Sequence, residues 1–195
     1  MQAALRPALA ALLLLTAAAL AGLLYLGTLV ERQARAAEVA ATASELRSIS
    51  RSLQRDVLLM ALEDEAAHAK TVARFDRRNA EMAAMGERLD ALLSAEGAPE
   101  AGRMAALHRD LGQAMAGMRD LALSQGRDAA WAYQQAEVLP REISAARTND
   151  PIIERFRTEA AARAASLRDR LTWIAAGLAV LGLLGVAWVL RAGRR

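Results

Sequence analysis

The chain has 195 residues, of which 54% are hydrophobic and 24% are charged, and none is a cysteine. Without cysteine there is no disulfide framework and no thiolate metal site, so zinc fingers, iron–sulfur clusters and thiol enzymes are excluded. Four prolines and twelve glycines are too few for an all-β fold that depends on many tight turns. Alanine, leucine, glutamate and arginine are abundant and favour helices, so the composition predicts an all-α fold.

Two uncharged apolar segments lie near the ends of the chain, at residues 8–30 and 171–190. As a helix, each is long enough to cross a hydrocarbon core of about 30 Å. The first exceeds the apolar core of a cleaved signal peptide, which favours a retained anchor. Trp173 and Trp188 lie near the ends of the second, where aromatic belts are found. We therefore expect two transmembrane helices, at 8–30 and 171–190, on either side of one aqueous domain at 31–170.

The charge distribution predicts the topology. The short tails, residues 1–7 and 191–195, carry only basic charges, on Arg6, Arg191, Arg194 and Arg195. The positive-inside rule places both tails in the cytoplasm and residues 31–170 outside it, in a bacterial periplasm. All 22 acidic residues and 21 of the 25 basic ones lie in 31–170. The pI near 10.1 therefore reflects two tails beside anionic lipid, and we expect the inner membrane as location and no nucleic-acid partner.

Residues 31–170 contain four apolar stripes at helical spacing, separated by segments rich in helix breakers. Such spacing buries a seam between helices in a left-handed, coiled-coil-like bundle. Asn79 interrupts the second stripe, and a polar residue in a seam commonly fixes helix register. The stripes are Val39, Thr42, Leu46, Ile49, Leu53, Val57 and Met60; Phe75, Met82, Met85, Leu89 and Leu92; Met104, Leu107, Leu111, Ala114, Met118 and Leu121; and Ile153, Phe156, Ala160, Ala164, Leu167 and Leu171.

The breakers leave two architectures to compare. One is a long hairpin that rises over residues 31–94 and returns over 103–171. The other is an antiparallel four-helix bundle with a turn near Asp64 and another at 125–140. A proline inside a helix costs about 3 kcal/mol. The bundle is favoured because it places Gly126 and Pro140 at its distal end, opens the last helix at Pro140, and keeps only Pro151 inside a helix.

Two local patterns carry a resemblance to a known family. They are the run from Arg51 to Leu59, and the series Leu121-Ala122, Gly126-Arg127-Asp128-Ala129, Ala132 and Pro140. With the predicted spans, the chain resembles the four-helix-bundle sensor module of methyl-accepting chemotaxis proteins and related histidine kinases. The resemblance implies a homodimer that binds a ligand and signals by a small displacement of the last helix relative to the first.

The segment after the second predicted span differs from that family. There the second span leads to a HAMP linker and a cytoplasmic signalling domain, whereas here only Arg191-Ala-Gly-Arg-Arg195 follows. We therefore expect signalling through helix–helix contacts with a receptor or kinase partner. Two alternatives stay open: an accessory protein that packs on a receptor or kinase and senses nothing, and a truncated receptor gene product.

Arg47, Arg51 and Arg55 recur at every fourth residue and line one face of the first helix, away from its apolar stripe. In the family that this chain resembles, arginines of the first helix hold ligand carboxylates at the dimer interface, and guanidinium suits bidentate recognition of a carboxylate. The three are the candidate residues for binding a small anion. The alternative is a solvated face, neutralised by the nearby Asp56 and Glu63.

The remaining polar and aromatic residues predict little chemistry. His108, Met104 and Met115 share a flank of one helix and could hold Cu(I) or haem, but methionine at helical spacing commonly fills a core. We expect no metal and no cofactor. Trp131 and Tyr133 follow the Gly126 turn and either cap the bundle or line a ligand cleft. No catalytic motif is present, so we expect no enzyme activity.

Overall fold

The structure, a computed structural model, describes the backbone of residues 2–62 and 65–192 and the side chains of 16–62, 67–185, 187 and 191. Its described residues form helices and the turns between them, with no strand, and the all-α prediction is confirmed. The elements are α1 (Gln2–Met60), α2 (Glu65–Ala95), α3 (Met104–Gln125), α4 (Arg127–Tyr133), a π-helical turn (Gln134–Val138) and α5 (Leu139–Ala192). They form two compact units, a terminal unit of residues 1–34 and 158–195 and a bundle unit of residues 35–157.

In the terminal unit, segments of α1 and α5 lie side by side and antiparallel. Arg163 Nη1 donates to the carbonyl of Arg32 at 2.9 Å, and the Arg170 guanidinium lies 5.4 Å from the centre of the Tyr25 ring. Most large apolar side chains of residues 20–30 and 171–184 are exposed. A search over the described residues finds no helix with an apolar stretch that could cross a membrane. Of the predicted spans, the side chains of 8–15, 186 and 188–190 lie outside the described residues.

In the bundle unit, neighbouring helices are antiparallel, because residue numbers in cross-helix contacts rise along one helix as they fall along the other. The order of contacts is α1 with α2, α2 with α3, α3 with α5, and α5 with α1. The contacts that establish this are Glu38–Arg88 and Asp56–Arg78, then Asp76–Arg119 and Glu87–Arg109, then Asp110–Arg141 and His108–Asn149, and finally Arg47–Asp150 and Gln54–Glu142.

The turns fall where the bundle alternative requires them. The first break lies between Met60 and Glu65; Asp64, the predicted turn residue, is outside the described residues. Before α3, the Asp90 carboxylate accepts the backbone N–H groups of Gly102, Met104 and Ala105 at 2.9–3.1 Å, which satisfies donors that the helix start leaves free.

The last helix begins one residue earlier than expected. Gly126, with φ of 82°, makes the sharp turn between α3 and α4, a backbone conformation that favours glycine. The π-helical turn then joins α4 to α5 without a break, and the Leu139 N–H donates to the Gln134 carbonyl five residues back. α5 starts at Leu139 rather than Pro140, and Pro151 lies inside it.

The predicted stripes match the buried core with one shift of phase. All seven positions of the first stripe are buried. In the second, Gly86 and Leu93 are buried where Met85 and Leu92 were expected. Phe75, Met82 and Leu89 keep a strict seven-residue spacing, and Gly86 and Leu93 each lie four residues further on, so the prediction placed these two positions one residue too early. Gly86 also allows close packing, because a Cβ there would lie 3.3 Å from Cα of Ala105 on α3.

Of the other two stripes, the third is buried at four of its six positions and the fourth at three of six. Leu107 and Leu121 of the third are half-buried and its other members are buried. In the fourth, Ala160 and Ala164 are half-buried and Leu171 is exposed. Asn79 of the second stripe faces Gly112 of α3, where an added Cβ would lie 2.5 Å from its Oδ1.

Candidate ligand-binding site

Arg47, Arg51 and Arg55 lie on one exposed face of α1, as the spacing predicts. With three serines at the same spacing, Ser44, Ser48 and Ser52, they line a shallow groove, which we call the arginine strip. Two of these serine hydroxyls are occupied within the helix, because Ser44 and Ser52 donate to the carbonyls four residues back at 2.7 and 3.0 Å. The guanidinium groups are therefore the main donors that the strip offers.

The arginines of the strip differ in their partners. Arg47 Nη1 lies 3.0 Å from Asp150 Oδ1 on α5. Arg51 and Arg55 make no ion pair or hydrogen bond with any residue that the structure describes. The strip thus presents two cations that no described acidic residue neutralises.

Asp56 does not neutralise the strip, so that part of the solvated-face alternative is wrong. Its side chain is 1% exposed and points to α2, where Arg74 Nε and Nη2 donate to Oδ1 at 2.9 and 2.8 Å. Arg78 Nη1 donates to Oδ2 at 2.7 Å. We call these three residues the Asp56 cluster. Glu63, the other acidic residue considered, lies outside the described residues.

A small cavity of about 90 Å³, partly open to solvent, adjoins the strip between α1, α3 and α5. Arg47 and Arg51 line it from α1, His108 from α3, and Glu142 and Asn149 from α5. The Oδ1 atom of Asn149 is buried and has no hydrogen-bond partner among the described residues. Buried polar atoms are almost always paired, so this oxygen is an open acceptor beside the cavity.

His108 is buried and is hydrogen-bonded to the amide nitrogen of Asn149. Because a carbonyl can only accept, Nδ1–H of His108 donates to the Met104 carbonyl at 2.9 Å. Nε2 then accepts from Nδ2 of Asn149 at 3.1 Å. Burial lowers the pKa of His108, against the opposing effects of the Met104 carbonyl and the Asp90 charge. These contacts favour a neutral imidazole, and we call the two residues the His108–Asn149 pair.

The two aromatic residues after Gly126 have different surroundings. Tyr133 packs on α3, since a Cβ added at Gly117 would lie 2.7 Å from the Tyr133 hydroxyl. Trp131 is exposed rather than buried under the end of the bundle. Among the described residues, no group of three or more histidine, aspartate and glutamate side chains is placed to hold a metal ion.

The sequence reasoning missed Arg74, Arg78 and Asn149. Counting residues from the 61–64 turn would not have found the two arginines, because Asp56 lies five residues before the turn and Arg74 and Arg78 lie 10 and 14 residues after it. Comparisons with known proteins add no constraint on the site. No protein-family model, curated protein or solved structure matches the chain at a significant level.

Proposed function

We propose that the chain is a membrane-anchored, chemoreceptor-like sensor protein whose bundle unit lies in the periplasm and binds a small anion or a ligand-loaded partner. One observation carries the proposal. The 90 Å³ cavity beside the arginine strip combines the guanidinium of Arg51, which has no ion pair with a described residue, with the open acceptor of Asn149, on two different helices. A ligand that takes both would have an anionic group and a donor group.

The position of these groups supports a signalling role. Arg51 belongs to α1 and Asn149 to α5, and these helices also carry the apolar residues 16–30 and 171–185. A ligand that contacts both helices favours one position of α5 relative to α1 by its differential affinity. In a homodimer anchored by two transmembrane helices, this shift passes to a receptor or kinase by helix–helix contact in the bilayer.

The ligand part of the proposal is tested with the full chain in lipid nanodiscs. A panel of small carboxylates and amino acids is screened by thermal shift and then by calorimetry. We expect at least one to bind, and R51Q to weaken it about tenfold or more, since a hydrogen-bonded charge contributes more than a neutral one. R147Q removes an exposed arginine of α5 and should bind like the parent. Binding that R51Q leaves unchanged contradicts the proposed site.

The membrane part is tested separately by accessibility. Because the chain has no cysteine, a single S48C substitution gives one reactive thiol on the arginine strip. A membrane-impermeant maleimide added to intact spheroplasts should label S48C fully. Labelling only after lysis, or recovery of the protein without membranes, contradicts the proposed anchorage and topology.

The accessory alternative is favoured by one observation: Arg51 and Arg55 are exposed and form no ion pair with a described residue. A complementary acidic surface of a receptor or kinase ectodomain would fit these two cations. In that case the ligand panel gives no thermal shift, and co-purification with the receptor or kinase is lost in R51E/R55E but not in R147E.

A further inference from the structure

A second cavity lies at the other end of the bundle unit, where α1 ends and α4 begins. Its volume is about 200 Å³. α1 contributes Leu58 and Leu62 to its wall, α3 contributes Met118, and α4 contributes Arg127, Ala130 and Trp131. We call it the distal cavity.

The lining of the distal cavity is apolar and partly open to solvent. Met118 and Ala130 are buried, whereas Leu62 is 70% and Trp131 54% exposed. A concave apolar surface with few polar groups is typical of a small-molecule site. An exposed tryptophan and leucine beside such a cavity gain favourable burial when an apolar ligand covers them.

Arg127 is the charged member of this lining, and it is exposed. It has neither an ion pair nor a hydrogen bond with the described residues. Nearby arginines of the bundle unit are different: Arg119 contacts Asp76 and Asp120, and Arg141 contacts Asp110 and Glu137. The distal cavity thus places one cation without a described partner beside an apolar wall.

We propose that the distal cavity binds a small monocarboxylate with a compact apolar body, either one aromatic ring or a short aliphatic chain. The carboxylate pairs with the Arg127 guanidinium, and the apolar body lies against Leu58, Leu62 and Trp131. A cavity of about 150 Å³ holds benzene, so the distal cavity has room for one ring with a carboxylate. Arg127 is the cation that the lining offers, and it pairs with one carboxylate. The inference does not depend on the proposed sensor role or on membrane anchorage.

The test uses the full chain in lipid nanodiscs, so that detergent tails do not compete for the cavity. Benzoate, hexanoate and the neutral benzyl alcohol are titrated by calorimetry and by ligand-observed NMR. We expect both carboxylates to bind and benzyl alcohol to bind about tenfold more weakly or worse, because it lacks the charge-assisted pairing. Trp131 fluorescence, in a W173F/W188F background, should change with benzoate.

Two substitutions separate the charge from the cavity. R127Q should weaken benzoate about tenfold and leave benzyl alcohol unchanged, because only the charge pairing is lost. A130L fills the cavity and should abolish binding of both compounds. Ala61 also lines the cavity, and A61L serves the same purpose if A130L does not fold. R147Q, which removes an arginine elsewhere, should match the parent. The helical circular dichroism of each variant establishes folding.

Several results would overturn the inference: no binding by any probe, equal affinity for benzoate and benzyl alcohol, or benzoate binding that survives both R127Q and the cavity-filling variant. If R51Q rather than R127Q removes benzoate binding, the ligand occupies the arginine strip. That outcome overturns the inference about the distal cavity and supports the proposed function.

Discussion

The bundle unit has two buried polar groupings, the Asp56 cluster between α1 and α2 and the His108–Asn149 pair between α3 and α5. They differ in how completely their buried polar atoms are paired. Asp56 is a charge, and both of its oxygens are paired by two arginines within 2.9 Å. The His108–Asn149 pair is neutral and leaves one amide oxygen without a partner.

The difference follows from the cost of burial. An unpaired charge in a protein interior is very costly, whereas an unpaired neutral amide oxygen costs about 1–3 kcal/mol. A buried charge therefore needs partners for all of its polar atoms, and no oxygen of Asp56 is left without a partner that a ligand could replace. The neutral pair tolerates an open acceptor, and it lies beside the cavity that Arg51 also lines. The first grouping fixes the packing of α1 on α2, and the second leaves a site.

The largest effect is expected from breaking the Asp56 cluster. R74M/R78M leaves the Asp56 carboxylate buried and unpaired, so the free energy of unfolding should fall by about 3–5 kcal/mol. Urea unfolding of the full chain in nanodiscs, followed by circular dichroism, measures this. Adding D56L to the double variant should recover much of the loss, since an apolar replacement removes the unpaired charge.

The control for this prediction is R77M, an exposed arginine on the same helix, which should change the free energy of unfolding by less than about 0.5 kcal/mol. A loss below about 1 kcal/mol in R74M/R78M, or equal losses in R74M/R78M and R77M, contradicts the interpretation of the cluster.

A smaller effect is expected at the neutral pair. N149L removes the donor to His108 Nε2 and leaves that nitrogen buried without a partner, so stability should fall by about 1–3 kcal/mol. The same urea titration measures the loss. T148V, which changes the preceding side chain, should stay close to the parent. If N149L is as stable as the parent, the bond between Asn149 and His108 does not contribute to the fold.

The two groupings also differ in their effect on the pH dependence of stability, because one of them contains a histidine. Burial lowers the pKa of His108 in the folded protein below its ordinary value of 6.5. The unfolded chain therefore binds more protons than the folded one as the pH falls through about 6.5, and the free energy of unfolding decreases. This contribution is fully present above the ordinary pKa.

The measurement compares unfolding at pH 7.5 and 5.5 for the parent and for H108Q. We expect H108Q to have the flatter pH dependence, because it has no imidazole to protonate on unfolding. H68Q removes the other histidine without touching the core contact and is the matched control. An unchanged slope in H108Q would show that the acid sensitivity originates elsewhere in the chain.

The smallest effect is expected at the surface. The Arg47–Asp150 pair is about half exposed on both sides, and such pairs contribute roughly 0–1 kcal/mol. R47Q should therefore lower stability by no more than about 1 kcal/mol, and less at high salt. A loss as large as that of R74M/R78M would mean that Arg47 has a structural role that its exposure does not indicate.

More of the fold than of the candidate site could be predicted from the sequence. The stripe from Val39 to Met60 identifies the buried face of α1 correctly, because one helix has one periodicity and the pattern is long. Gly126 and Pro140 locate the distal end to within a residue, since both residues restrict the backbone in known ways. The turn after Met60 was harder, because it has neither glycine nor proline near it.

The site could be predicted only where it depends on a single helix. Arg47, Arg51 and Arg55 share a face by spacing alone. The partners of Asp56 and of His108 depend on the phase of two helices relative to each other, and an error of one residue rotates a side chain by about 100°. The shift from Met85 to Gly86 in α2 is an error of this size: Gly86 continues the seven-residue repeat from Asn79, but neither residue is apolar.

Because of the π-helical turn at Gln134–Val138, the directions in which the α4 side chains point depend on the number of residues between α4 and α5. A π-turn accommodates about one residue more than an α-turn. Deleting one residue there would let α4 and α5 continue as one regular α-helix. It would also rotate the side chains of Arg127 and Trp131 by about 100° about the helix axis. A three-base deletion could thus remove the distal cavity while every residue that lines it stays in the chain.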